Sequence, residues 1–260
     1  MDARKAGGDL IGNNLLRALR TEDWAIIQPM LEEWSAPTGT LLHDPGDTVR
    51  HAYFPCGPSL ISYLVVLGDG RAIETALIGR EGAIGGIVSQ GRLPAYARAE
   101  VQLGGSFWRI DLHDLEEAKS RSITLRFLFA RYADCLMAQV FQSVACNAAH
   151  SIEQRTAKWL LAAMDRTGAT DVALTQEQLA SMLGVGRSYL SRVIQDLKGR
   201  EVIETRRGRI GIANIDGLRA LACECNPCVS RHFDDVLKGV YPAEENGVAF
   251  RENGGRQASR

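Results

Sequence analysis

The apolar pattern of this 260-residue chain changes period once, close to Asp111, and that change constrains the fold more than any other feature. From Gly39 to about Leu112 the apolar residues come in short runs: HAYFPCG, LISYLVVLGDG, AIETALIG, AIGGIV, YARAEVQL and SFWRIDL. Turn signals at Pro45-Gly46, Gly57-Pro58, Gly68-Asp69-Gly70 and Gly79 separate them. Short runs with recurrent turns, and no helix-length pattern between them, predict a compact β-sandwich or barrel in preference to α/β layering. The segment Leu67 to Arg71 is the best hairpin, because Asp-Gly tolerates the positive φ that a tight turn requires. After Asp111, Leu125, Leu128 or Phe129, Tyr132, Leu136, Val140 and Val144 recur three or four apart, with polar residues between them. That spacing predicts a long amphipathic helix. It carries more apolar face than one flank of a small barrel needs, so a dimer seam is expected; the plainer alternative is a helix packed only on its own domain. Helical spacing is also read over Leu15 to Leu31 and over Ile152 to Met164, the latter ending before Gly168.

The most specific stretch follows: LTQEQLASMLGVGRSYLSRVIQDLKGREVIETRRGRIGI, beginning at Leu174. Thr175 is an N-cap, with Gln178 placed as in a capping box. Leu179, Met182 and Leu183 give a short helix one apolar face, and Gly184 stops it. Gly186 opens a second helix with Tyr189, Leu190, Val193, Ile194 and Leu197 at helical intervals, and Gly199 ends it. Two short helices joined through glycine predict a helix-turn-helix, whose second helix enters the major groove of DNA by its N-terminal residues. Arg187 and Ser188 open that helix, and Ser191 and Arg192 follow one turn later on the same face. Arginine suits base reading because its planar fork meets guanine O6 and N7 together. Tyr189 either packs inward or touches a thymine methyl. Thr175 and Gln176 are expected at phosphates. Val202 to Thr205 and Ile210 to Ile212 read as strands around Arg206, Arg207 and Arg209, a wing with a basic tip placed for a phosphate backbone.

Charge and composition agree with this. Lys and Arg number 30 against 31 Asp and Glu over the whole chain. Between Arg187 and Arg209, however, seven basic residues face three acidic ones, a local basic stretch on a mildly acidic body. No apolar run is long enough for a membrane span, and the start MDARKAGGDLIGNN lacks the apolar region of a signal peptide, so a cytoplasmic protein without membrane contact is expected. Neither His-Glu-x-x-His nor Gly-x-Ser-x-Gly occurs, and Gly79-Arg80-Glu81-Gly82 is no phosphate loop, so an enzyme is not expected.

On the helix-turn-helix with its wing, and on DGRAIETALIGREGAIGG, the chain resembles the Crp/Fnr superfamily of bacterial regulators from about Leu15 to Leu221. It is especially similar to a branch with Ala145-Cys146-Asn147, the segment His150 to Leu161, and Cys223-Glu224-Cys225. The resemblance implies an α+β fold: a cyclic-nucleotide-binding-like β-roll or jelly roll over 15–112, a dimerisation helix over 113–148, a winged helix-turn-helix over 149–222 and a tail over 223–260. Arg187 and Arg192 match the family's two recognition-helix arginines, while Ser188 stands where a glutamate is common. In cyclic-AMP-binding members a Gly-Glu holds the ribose and an Arg-Ser the phosphate. Gly85-Gly86 and Leu93-Pro94 take those positions here, removing the main anion cradle. Arg92 and Arg98 are the nearby substitutes, and the sequence argues against a cyclic nucleotide. The implied function is a homodimeric, sequence-specific transcriptional regulator on a near-palindromic site, with double-stranded DNA and RNA polymerase as partners.

The alternative is a regulator responsive to an effector, redox state or metal. Cys223, Cys225 and Cys228 form a Cys-x-Cys-x-x-Cys cluster whose thiolates suit zinc or an iron–sulfur centre. Cys146, His232 or the dimer mate would supply a fourth ligand. Against this, oxygen-sensing relatives carry their cluster cysteines near the N-terminus, where this chain has none before Cys56, and the plainer reading gives the tail cysteines a packing role or none. From about Tyr241 onwards a mobile end is expected.

Overall fold

The computed structural model describes residues 12–89 and 93–238, so the expected mobile end lies outside the described residues. The chain opens on α1 (Asn14–Arg17), α2 (Thr21–Ile27) and a 3-10 turn at Gln28–Met30. The single helix read over Leu15 to Leu31 is therefore broken. Arg20 takes an extended backbone and restarts the register, and Pro29 holds the closing turn in its tighter form. Asn13 caps α1 and anchors it to the neighbouring loops by donating to the carbonyls of Pro55 (2.9 Å) and Gly82 (2.8 Å).

Seven strands build the β-roll: β1 (Glu32–Ala36), β2 (Leu41–His43), β3 (His51–Pro55), β4 (Leu60–Val66), β5 (Ala72–Ile78), β6 (Arg98–Leu103) and β7 (Gly105–Asp111). They form two antiparallel sheets, ordered β1-β7-β3 and β2-β6-β4-β5. The Asp-Gly hairpin joins β4 to β5, with Gly70 at φ 84°. The run AIGGIV makes no strand; Ile84 only bridges to Tyr53, and Gly85 turns the chain at φ 104°. Between the sheets lie Tyr53, Ile61, Ile78, Ile84, Val101 and Phe107. The outer faces are covered too: Ala52, Phe54 and Ile110 meet the helices, and Leu60, Leu64 and Leu77 meet the C-terminal domain. Strands buried on both faces read as continuous apolar runs without alternation, which is the pattern seen in the sequence.

The helix read over Leu125 to Val144 is unbroken within α4 (Ile123–Ala149), but the stretch 113–148 given to one helix also takes in a separate α3 (Leu112–Arg121). Ser122 lies extended between them and caps α4 by accepting from the Leu125 amide, while its hydroxyl and that of Thr124 donate to Asp23 of α2. On its inner face α4 buries Leu125, Leu128, Phe129 and Tyr132. The Tyr132 hydroxyl accepts from the Ala83 amide and donates to the Ala83 carbonyl, both at 2.9 Å. A Cβ at Gly82 would stand 2.0 Å from that oxygen, so only glycine fits there.

After α5 (Ile152–Thr167), whose C-cap Gly168 is left-handed at φ 74°, comes the winged helix: β8 (Asp171–Val172), α6 (Gln176–Leu183), α7 (Arg187–Gly199), β9 (Ile203–Arg206), β10 (Arg209–Ile212) and α8 (Ile215–Leu221). The wing is a three-stranded sheet, β8-β10-β9, one strand more than expected. The tail is not slack after Cys223. It forms α9 (Cys225–Lys238), which runs back along α4 and lays Val229, Phe233 and Leu237 into the same core. Phe233 meets the Tyr132 ring edge-on at 6.1 Å, and Arg131 donates to the Val236 carbonyl.

Replacing Tyr132 by Phe keeps the ring but leaves the buried Ala83 amide and carbonyl unpaired. We expect a loss of about 1–3 kcal/mol, measured as a lower urea midpoint at unchanged slope.

Candidate nucleic-acid interface

Local chemistry sets the two helices of the reading head. The Gln178 amide donates to Thr175 Oγ1 (3.2 Å) and the Thr175 amide to Gln178 Oε1 (2.9 Å), a reciprocal capping box. Gly184 adopts φ 70° and ends α6. Leu190, Val193, Ile194 and Leu197 turn one face of α7 into the core shared with Leu179, Met182 and Leu183. The opposite face is left outside, with Arg187, Ser188, Tyr189 and Arg192 exposed and Ser191 half-buried. Tyr189 thus points outward, and the Arg192 guanidinium lies over its ring at 5.5 Å. No side chain caps the N-terminus of α7 at Gly186, so its first amides face outward with these residues.

The wing stands beside them. Arg206, Arg207 and Arg209 are exposed, with Arg206 against Glu204 (2.9 Å) and Arg209 against Asp171 (2.8 Å). Exposed pairs of this kind are weak and open readily to a stronger anion. A groove of about 360 Å³ lies between the start of α6, the start of α7 and the wing, lined among others by Thr175, Gln176, Arg187, Arg206 and Arg209. Residues up to 34 positions apart in sequence therefore meet on one face. Thr175 spends its side chain on the cap, so Gln176 is the freer of the two at the groove.

Among the described residues, the effector-pocket candidates Gly85, Gly86 and Arg98 are not gathered into an anion cradle. Arg98 is held by Asp44 through two hydrogen bonds of 2.8 and 2.9 Å, which keep the Asp44 carboxyl below its usual range. The Gly85 amide donates to the Tyr63 hydroxyl (3.0 Å), and a Cβ on Gly85 would stand 2.3 Å from the His51 carbonyl. Gly86 abuts Leu112. Leu93 is half exposed, and Arg92 lies outside the described residues.

The back of the reading head rests on the four-stranded sheet of the roll. Half-buried Glu74 of β5 accepts through its enclosed carboxyl from Ser62 Oγ (2.6 Å) and from the Trp159 indole N–H of α5 (2.9 Å). Burial pushes its carboxyl above the usual range, against the lowering effects of those bonds and of Lys158 and Arg166. Arg166 of α5 donates to Glu81 Oε1 (2.8 Å) and to the Leu77 carbonyl (3.0 Å).

A second constellation lies where α4 ends. Cys146 of the last turn of α4, its C-cap His150, Cys223 after α8 and Cys225 at the start of α9 offer ligand atoms that all lie within 4.8 Å of one another. The Cys146 and Cys223 sulfurs are 3.7 Å apart, and Cys225 Sγ is 3.5 Å from His150 Nδ1. Burial raises the Cys223 thiol and pushes that of Cys225 up to about 12. This group could hold a metal ion. Cys228 stands apart from it, accepting from Arg231 (3.2 Å), and His232 is exposed. Sequence reading missed His150, although the Cys-x-x-x-His spacing at a helix end was there to find.

Residues 154–221 match the family model of the Crp-like helix-turn-helix domain. Among solved structures, the chain is similar to FixK2 from Bradyrhizobium japonicum (TM-score 0.62, 21% identity, 74% of this chain and 98% of that one). It is also similar to a transcriptional regulator of the Crp/Fnr family from Eubacterium rectale (TM-score 0.55, 20% identity, 80% and 96%). A third is a Crp/Fnr-family regulator, TTHA1359, from Thermus thermophilus (TM-score 0.52, 21% identity, 74% and 98%). No curated protein matches the sequence. The chain therefore carries a Crp-like helix-turn-helix domain within the fold of the Crp/Fnr transcriptional regulators. Among the described residues no helix is long and apolar enough to cross a membrane.

Because the buried Glu74 carboxyl is raised, the cost of ionising it is absent below the usual carboxylate range and complete once pH passes its higher native value. Stability from this group therefore falls as pH rises through that window. Glu74→Gln keeps both hydrogen bonds, accepting from Trp159 and donating to Ser62. We expect a melting temperature at neutral pH equal to or above that of the parent protein, with the difference shifting against the variant in acid, as measured by thermal denaturation across pH.

Proposed function

We propose that the protein is a sequence-specific DNA-binding transcriptional regulator of the Crp/Fnr type that acts as a homodimer on a near-palindromic site. The observation that carries this is the single exposed face formed by Arg187, Ser188, Tyr189, Ser191 and Arg192 with the basic wing beside it. Arg187 and Arg192 read base edges in the major groove. Gln176 and the wing arginines Arg206, Arg207 and Arg209 hold phosphates on either side, with Thr175 capping the helix that presents Gln176. RNA polymerase is the further partner, the cytoplasm the location, and regulation rather than catalysis the activity.

The homodimer reading is supported by the outer face of α4. Ile123, Phe127, Ala130, Asp134, Met137, Phe141, Val144 and Ala148 follow one another at alternating steps of four and three, and all are exposed. Phe127 is 53% exposed, Phe141 65% and Val144 66%, an extent that isolated surface apolars seldom reach together. Alternating fours and threes are the seam of a two-helix coiled coil, with Asp134 a polar position of the kind that fixes register. The seam differs from the one read in sequence: Leu125, Leu128, Phe129 and Tyr132 belong to the inner face. We propose the division into roll (15–112), connecting helices (113–148), reading domain (149–222) and tail (223–260) on the same grounds. The commitment of Arg98 to Asp44 and the Gly85 amide to Tyr63 supports a regulator not gated by cyclic AMP.

Selection from a random duplex library, without added ligand, should return a twofold motif with half-sites about one helical turn apart; no enrichment at moderate salt would count against the reading. Arg187→Ala and Arg192→Ala should each weaken the selected site by about 1–3 kcal/mol for a base edge no longer read, with dimerisation intact. Unchanged affinity would sink groove reading. Phe141→Glu should give a monomer by light scattering, with helix content unaltered. Neutralising Arg206 and Arg207 should weaken all sequences alike and flatten the salt dependence by about one unit for each phosphate no longer held.

A further inference from the structure

We propose that Cys146, His150, Cys223 and Cys225 form a structural zinc site that clamps the start of the tail helix to the joint between α4 and α5. All four ligand atoms lie within 4.8 Å of one another, close enough to surround one small ion, and two of their separations match it. Tetrahedral zinc with bonds of about 2.3 Å to sulfur and 2.0–2.1 Å to nitrogen sets its ligand atoms about 3.8 Å apart for two sulfurs and about 3.5 Å for sulfur and nitrogen. The Cys146–Cys223 separation is 3.7 Å and the Cys225–His150 separation 3.5 Å. An iron–sulfur cluster fits less well, because ligands on its different iron atoms stand farther apart than the 4.8 Å within which all four atoms lie here.

The surroundings match a ligand set and not a chance meeting of thiols. Cys146, Cys223 and Cys225 make a small buried cluster of their own, separate from the three apolar cores, and all are free thiols. His150 offers Nδ1 to the group, while its Nε2 faces the Glu224 carboxylate at 3.6 Å. A carboxylate behind the far nitrogen is the usual way a zinc-bound imidazole is oriented and made more basic. The Gln142 amide donates to Cys225 Sγ at 3.2 Å. Each thiol gives its proton to solvent as it ligates, and three thiolates with one divalent ion leave a single negative charge. The buried Arg155 guanidinium lies near enough to Cys146 and Cys223 to balance it, and it donates to the Leu183 carbonyl at the end of α6 (2.9 Å). Four protein ligands leave no open position, which marks a structural site and not a catalytic one.

Position gives the ion its task. Cys146 and His150 bracket the last turn of α4, immediately before Ser151 caps α5, and Cys223 and Cys225 begin the tail. The ion thus joins two segments, 146–150 and 223–225, that the chain links only through the whole winged-helix domain. This assignment rests on the cluster alone and is independent of DNA recognition.

The test is elemental analysis of the full-length protein, purified under reducing conditions and reconstituted with zinc. About one zinc per chain is expected, and cobalt substitution should give the intense visible bands and sulfur-to-metal charge transfer of a tetrahedral three-thiolate site. Cys228→Ser, outside the group, should retain the metal. Cys223→Ser and Cys225→Ser should lose most of it. Because loss of a buried ligand can also impair folding, His150→Cys is the second probe: it should keep the ion and move the cobalt charge-transfer bands towards an all-thiolate spectrum. Metal near zero after reconstitution, equal loss in Cys228→Ser and Cys225→Ser, iron with acid-labile sulfide in place of zinc, or a cobalt spectrum indifferent to His150→Cys would each overturn the assignment.

Discussion

Where α5 crosses the roll, the guanidinium of Arg166 is buried between parts of the chain that have no covalent reason to meet. It donates to Glu81 Oε1 and to the Leu77 carbonyl on the roll side and to the Ala162 carbonyl on its own helix, and its side chain is only 9% exposed. A buried pair of this sort adds little net stability over an apolar replacement, since desolvation offsets the attraction. Its effect is on uniqueness. A small slide of the reading head over the sheet would leave a charge buried without its partner, costing about 3–5 kcal/mol, whereas the leucines beneath would tolerate it. Leu60, Leu64 and Leu77 against Leu160 and Leu161 supply adhesion, and Arg166 with the Glu74–Trp159 bond supplies register.

The same division between non-directional burial and directed bonds explains what could be read in the sequence. The winged helix was legible almost residue by residue, because caps, a left-handed glycine and a basic hairpin are local signals: Thr175 with Gln178, Gly184 and Gly208 all act within a few positions. The roll was legible as a class. Its first two strands were not, since Glu32 to Ala36 is half polar and Leu41 to His43 too short to show a period. The break at Ser122 depends on Asp23, a residue 99 positions away, and no local pattern announces it. Of the metal-ligating candidates, Cys223, Cys225 and Cys146 come together, while Cys228 and His232 do not, for a like reason. Sequence spacing favoured Cys228, but α9 starts at Cys225 and turns Cys228 towards Arg231, while His150 arrives from the far end of α4.

Helix α4 shows why period alone could not separate seam from core. Its apolar residues occupy more than half the circumference, so any three-or-four walk along it finds a stripe. Burial sorts them. The inner stripe locks onto Ala83, Phe54 and the tail helix, and the outer stripe of Phe127, Met137, Phe141 and Val144 is left without cover in the single chain. The two stripes are also offset along the helix. The apolar inner contacts are concentrated before Leu136, and the exposed apolar residues become dense after it, where α4 meets β5 through polar side chains such as Gln139. A helix so arranged is braced by its own domain at one end and leaves its apolar face exposed at the other.

That offset bears on how the joint after Ala149 is held. Beyond Leu136 the inner side of α4 has few apolar partners, with Cys146 its one fully buried residue in the last three turns. Ordinary packing therefore does not fix the direction in which α4 hands the chain to α5, and the capping box at Ser151 fixes only the start of the new helix. The cysteine–histidine group sits at this point, and an ion there would supply the rigidity that the apolar core does not reach. Arg155 extends it one step further, from the thiols to the carbonyl of Leu183 beside the glycine turn of the helix-turn-helix. The joint and the tail are thus coupled electrostatically, through Arg155, to the glycine turn between the two helices of the helix-turn-helix.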